Sequence, residues 1–166
     1  MKYFLVGFMG SGKSFVGKKL SEKLNVNFID LDHYIEKIEN RSVSDIFNKE
    51  GEDYFRKLEL KYFTSILKEE NTIISTGGGT PTHNNIMKLI TGSGTSFYLK
   101  CKTNTILKRL VKSDKNRPLI KDLSNKNLKK FIEEKLSERS KFYEKADYIV
   151  NNNQEQAINE IVNLLR

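Results

Sequence analysis

Lys13 and Ser14 close the run Gly7-Phe8-Met9-Gly10-Ser11-Gly12-Lys13-Ser14, which fits the pattern G-x-x-x-x-G-K-[ST]. The pattern carries a mechanism. Glycines let backbone N–H groups close around phosphates, the lysine reaches the terminal phosphates, and the hydroxyl ligates Mg²⁺. The following helix adds roughly half a positive charge at its N-terminus. A bland glycine-rich turn would need none of this. Asp30 and Asp32, two residues apart, could hold a magnesium ion through its water shell and polarise an acceptor hydroxyl, although Asp32 could equally cap a helix. Arg56 and Glu59 are three apart and near enough to pair, either at a site or as a plain surface ion pair. Gly77-Gly78-Gly79 permits a backbone that passes very close to a ligand, or simply a tight turn. Arg139 lies on a stripe with Ile132, Leu136 and Tyr143, and an arginine on an apolar stripe wants an anion.

These groups need elements to hold them. Apolar runs at 2–6, 27–31, 72–75, 95–100 and 148–151 read as strands, and they alternate with segments of helical spacing. That alternation gives an α/β chain with a parallel sheet and helices on both faces. The first strand feeds the glycine loop, and Val16, Leu20 and Leu24 recur after it at helical spacing. If the second strand runs through Leu31, Asp30 and Asp32 share one face of it, at the carboxyl edge where such sheets bind ligands. Ser42 and Asp45 bracket a helix start, Gly51 breaks that helix, and a longer one carries Phe55, Leu58, Tyr62, Phe63, Ile66 and Leu67 inward. Many proteins with this loop place a magnesium-binding Asp at the end of the third strand. Here the residue is Ser75, which leaves Ser14 and Asp30 as the metal partners. Thr80 is expected to cap a helix with Pro81 at its first position. In the helix begun by Thr103, inward Ile106, Leu107, Leu110 and Val111 leave Arg109 to face outward. Residues 112–123 read as a basic loop, and its rigid Arg117-Pro118 suits a lid closing over phosphates. The next helix reads as beginning near residue 128, and Asn153 and Gln156 have capping-box spacing before the last one.

The 166 residues suit one domain with a real core. With 37% hydrophobic and 30% charged residues the chain is globular and not disordered. No apolar run approaches the ~20 residues of a membrane span, and the N-terminus lacks signal-peptide character. Cys101 is the single cysteine, which suits a reducing cytoplasm and a packing role. The net charge of +8 admits nucleic acid or small anions, but the lysines are scattered among glutamates as on solvated helix faces. No nucleic-acid module accompanies the charge, and no guanine-reading Asn-Lys-x-Asp motif is present. His33 and His83 lie near helix starts, nothing places either at the chemistry, and both are expected to be structural or exposed.

In this order, the phosphate loop, Asp30-Leu31-Asp32, Phe55-Arg56 with Glu59, Gly77-Gly78-Gly79, Arg117-Pro118-Leu119 and Arg139 with Tyr143 resemble the shikimate kinase family over nearly the whole chain. The resemblance implies a three-layer P-loop kinase fold: a five-stranded parallel sheet flanked by helices, a substrate-binding insert at about 32–62 and a lid at about 112–123. It implies transfer of phosphate from ATP to the 3-hydroxyl of shikimate, in aromatic biosynthesis. By matching position it implies Asp32, Arg56, Gly78, Gly79 and Arg139 as substrate ligands. Gly10, Ser11, Gly12, Lys13, Ser14, Phe15, Arg109 and Arg117 are implied for the nucleotide, with Arg109 packed on adenine. Ser14 and Asp30 are implied for Mg²⁺, and Lys13, Asp32 and Arg117 for the chemical step. A cytoplasmic monomer is expected, with ATP and shikimate as partners and neither nucleic acid nor membrane. Three departures stand out. Phe15 replaces a common Ser or Thr, Lys141 replaces a frequent Pro, and the chain runs a residue short after Tyr143, so no adenine contact is assigned near 151–153. A kinase for gluconate or a nucleoside monophosphate is the nearest rival. Asp32, two arginines and the triple glycine fit a polyhydroxy acid better.

Overall fold

The computed structural model describes residues 1–113, 119–120, 123–153 and 155–165. Strand β1 (Lys2–Val6) sorts the molecule into layers through its alternation of side chains. Phe4 and Val6 enter one core cluster, while Tyr3 and Leu5 enter another on the opposite face. β1 is flanked by β3 (Thr72–Ser75) and β4 (Thr95–Lys100), with β2 (Asn27–Asp30) and β5 (Tyr148–Asn151) at the edges. The order is β2-β3-β1-β4-β5 and every pairing is parallel. Parallel neighbours need crossovers, so helices must cover both faces. On one face α1 (Lys13–Leu24) and α7 (Glu155–Leu164) bury Val16, Leu20, Ile161 and Val162 against Ile73, Phe97 and Val150. The other face carries α2 (Leu31–Glu39), α3 (Val43–Ile66), α4 (Ile86–Ser93), α5 (Thr103–Lys112) and α6 (Asn125–Tyr143). Each fully buried aliphatic or aromatic side chain contributes about 1.5–3 kcal/mol, which is why these runs dictate the layers.

The expected three-layer architecture is present, with local differences that have physical causes. β2 stops at Asp30, whose carboxylate accepts from the His33 amide at 3.4 Å and caps α2. Asp32 therefore sits in the first turn of a helix, and strand alternation is not what aims it. Ser42 caps α3 by accepting from the Asp45 amide at 3.0 Å. That helix bends at Gly51, whose φ of 84° lies in the left-handed region. Thr80 caps nothing: Gly79 precedes a 3₁₀ turn at Thr80–Thr82, and the Thr80 hydroxyl is engaged elsewhere. α6 starts three residues earlier than its apolar spacing suggests, because Ser124 accepts from the Asn127 amide.

Candidate active site

The phosphate loop leaves the carboxyl end of β1 and the glycine run leaves that of its neighbour β3, so both open at one edge of the sheet. α1 has no side-chain cap, and its first amides are left for an anion. The Lys13 ammonium lies within the loop and donates to the carbonyls of Gly7 (2.9 Å) and Phe8 (3.0 Å). The Ser14 hydroxyl donates to Asp30 Oδ2 at 2.5 Å. Ser75 is in register with Asp30 but buried, so the carboxylate beside Ser14 comes from β2.

The outer side of the loop is clamped. Arg109 Nη1 donates to the carbonyls of Gly10 (3.2 Å) and Ser11 (3.0 Å), and Asn152 Nδ2 donates to the Ser11 carbonyl as well. Arg109 therefore faces the loop instead of turning outward, because Gly10 and Ser11 present carbonyls that need donors. Cys101 packs beneath with its thiol 3.5 Å from the Ser11 carbonyl; burial pushes its pKa up, partly offset by Arg109. It stays a thiol, as a packing residue should. A cavity of about 310 Å³ opens over this loop, lined by Lys13, Ser14, Phe15, Asp30, Arg109 and Ser113 among others.

Beside it lies a cavity of about 410 Å³ whose lining includes Asp32, Phe47, Arg56, Glu59, Gly79 and Arg139. Met9, Ser14, Asp30, Asp32 and Gly78 line both cavities, so the two share a wall. Arg56 is no surface pair. Its guanidinium is buried between Glu59 (2.6 Å) and Glu52 (2.8 Å). Burial opposes its charge, but the two carboxylates outweigh that and raise its pKa. Glu59, 1% exposed, also accepts from Thr80 Oγ1. The close approach the glycines permit is used at Gly79, where a Cβ would stand 2.5 Å from Arg56 Nη2. Arg139 is 8% exposed, its guanidinium carbon sits 5.6 Å over the Phe8 ring, and its Nη1 has no hydrogen-bond partner among the described residues. A buried N–H without a partner costs about 1–3 kcal/mol, so this nitrogen suits an anionic ligand.

Of the expected site residues, Arg117 lies outside the described residues, as does most of the expected lid; Leu119 borders the acceptor-side cavity. All the others meet in or around the two cavities. His33 is an exposed rim residue. His83 borders a neighbouring cavity of about 800 Å³, and burial, with the charge of Arg56, pushes its pKa down. Three contributors escaped the sequence reading. Glu52 was signalled by its four-residue spacing from Arg56. Thr80 and Asn152 had no local signal, since their partners lie 21 and 141 positions away.

Known proteins resemble this chain over nearly its whole length. The family model described as shikimate kinase matches residues 9–166. A shikimate kinase of Azobacteroides pseudotrichonymphae is 43% identical over 149 residues, 89% of this chain and 88% of the relative. The crystal structure of shikimate kinase from Bacteroides thetaiotaomicron superposes with a TM-score of 0.93 at 35% identity, covering 99% of this chain and 98% of that one. The Acinetobacter baumannii enzyme in complex with shikimate gives 0.91 at 33% identity, covering 99% and 92%.

Proposed function

The chain belongs to the shikimate kinase family, and from that premise we propose that its two adjoining cavities hold ATP and shikimate for direct phosphoryl transfer. The reaction is ATP plus shikimate giving ADP and shikimate 3-phosphate. The observation that carries the reading is the shared lining: Ser14, Asp30 and Asp32 border both cavities, so a phosphate over the loop lies next to the acceptor.

The residues divide the work. Lys13 exchanges the carbonyls of Gly7 and Phe8 for the terminal phosphates, while the loop amides and the α1 N-terminus take the remaining charge. Arg56 and the Nη1 of Arg139, which has no partner among the described residues, fork onto the shikimate carboxylate. Glu59 and Glu52 hold Arg56 in place, and the backbone of Gly78 and Gly79 lies against the ring. Asp32 accepts a hydrogen bond from the 3-hydroxyl and is placed to take its proton. The 3-oxygen bonds to the γ-phosphorus as the bond to the β,γ-bridging oxygen breaks, and ADP leaves. Arg117 is expected to counter charge on the moving group, a contribution of about 10³-fold or more for such an arginine.

The oxygen donors of Ser14 and Asp30, 2.5 Å apart, suit Mg²⁺, a hard cation. Among the described residues no group of three His, Cys, Asp or Glu could hold a metal alone, so the ion would be completed by phosphates and water. When bound, Mg²⁺ supplies counter-charge to the phosphate oxygens. Arg109 and Asn152 hold the loop from outside, and Arg109 borders the nucleotide-side cavity. The same reading has the chain acting as a cytoplasmic monomer. No described helix is long and apolar enough to cross a membrane. ADP release is to be measured with shikimate, gluconate and nucleoside monophosphates as acceptors. Turnover with shikimate alone is expected. Turnover with another acceptor but not shikimate overturns the assignment.

A further inference from the structure

Helix α6 does more than present Arg139. Four residues on, about 6 Å along the axis, Tyr143 is fully buried and its hydroxyl donates to the Gly78 carbonyl at 2.5 Å. Its ring packs against Tyr98 of β4 with centroids 5.2 Å apart, which holds the phenol in place. Burial pushes the phenol pKa up, so the hydroxyl keeps its proton and stays a donor. Gly78 in turn lies flat on the phosphate loop, where a Cβ would stand 2.9 Å from the Met9 amide nitrogen. It also borders both cavities. One line of contacts therefore runs from α6 through Tyr143 to the glycine run and on to the loop that grips phosphate. Arg139, on the same helix, meets the same loop at Phe8.

We propose that Tyr143 is a positioning residue for phosphoryl transfer: by holding the Gly78 carbonyl it fixes the gap between the acceptor hydroxyl and the γ-phosphate. This rests on the assignment of the two cavities as donor and acceptor sites. A loosened Gly78 changes where the phosphoryl group goes more than how tightly ATP is held, because the phenol makes its hydrogen bond to the glycine run and not to the phosphate loop.

Tyr143→Phe tests this, since it keeps the ring and removes the hydroxyl alone. kcat for transfer is expected to fall about tenfold, the rate equivalent of one hydrogen bond. KM for ATP should stay within about twofold, because the substitution leaves the phosphate loop's own residues in place. The ratio of ADP released to shikimate phosphorylated should rise, as water replaces a misplaced acceptor. Tyr98→Phe removes the neighbouring phenol hydroxyl of the same ring pair and should leave that ratio at the wild-type value. An unchanged kcat and ratio in Tyr143→Phe overturns the proposal, and so does an equal loss in both variants. A wild-type chain that phosphorylates no shikimate removes the underlying cavity assignment and this proposal with it. Normal wild-type transfer beside an unaffected variant removes this proposal alone.

Discussion

Gly79→Ala places one methyl group beside Arg56 and separates folding from substrate recognition. The Gly79 backbone (φ −88°, ψ −19°) is in a region alanine adopts freely, so the backbone carries no strain. The new Cβ would stand 2.5 Å from Arg56 Nη2 and 2.9 Å from its Cζ, where ordinary contact needs about 3.5 Å. The guanidinium must therefore retreat by about 1 Å. The fold tolerates that retreat. The arginine stem is long, Glu52 on its exposed side can follow it, and alanine removes about 0.4–1 kcal/mol of unfolded-state entropy. The loss falls on the acceptor. One hydrogen bond to a charged group is worth about 1.5–3 kcal/mol, which corresponds to a rise of about 10- to 150-fold in KM for shikimate. Initial rates of ADP release with each substrate varied in turn, together with a thermal melt, read the effect. The expected result is a raised shikimate KM, an unchanged ATP KM and a melting temperature near that of the wild type. A wild-type shikimate KM would show that Arg56 does not need its place. An equal rise in both KM values would show that the methyl acts through the phosphate loop.

Asp32→Asn removes the acceptor of the hydroxyl proton; kcat should fall by about 10²-fold or more, far more than KM for ATP rises, and wild-type turnover in that variant would take Asp32 out of the acceptor site. Gly92→Ala adds a methyl on the exposed side of α4, where nothing lies within 4 Å. A gain of about 0.8–1 kcal/mol in a denaturant melt is expected, with kinetics unchanged, and no gain would mean the helix end is frayed there. Tyr62 donates to Glu39 at 2.6 Å, and this bond, with help from Arg41, holds the Glu39 carboxyl below its usual 4.5. A carboxyl lowered on folding adds stability above pH 4.5 that is lost as pH falls through the folded value. Tyr62→Phe should therefore destabilise the protein at pH 7 more than at pH 3, as read by melts across that range, and equal losses at both would refute the linkage.

The layers were legible because they follow from periodicity. Alternation in β1, the four-residue spacing of Val16, Leu20 and Leu24, and the break at Gly51 are local properties, and burial acts on them the same way in any context. The phosphate loop was legible for a related reason: its amides, glycines, lysine and serine are contiguous, so one stretch of chain builds the whole cradle. The acceptor side was legible as residue types but not as geometry. Asp32 was aimed by a strand that ends two residues earlier, because whether Asp30 continues a ladder or caps a helix depends on the His33 amide beside it. Arg109 was turned to solvent by its helical position, although carbonyls some 98 residues away supply its partners.

The positions of the strands along the chain, their alternation with helices and the anion-binding loop are thus written in neighbouring residues, and the amino-acid sequence determines them by itself. Tertiary packing decides what is paired across the chain: that Arg56 is buried between two carboxylates, that one Arg139 nitrogen has no partner among the described residues, and that Tyr143 grips Gly78. The physical reason is range. Hydrophobic periodicity and backbone conformation act over a few residues, whereas a hydrogen bond acts over about 3 Å and is made only once the packed sheet has brought its two ends together.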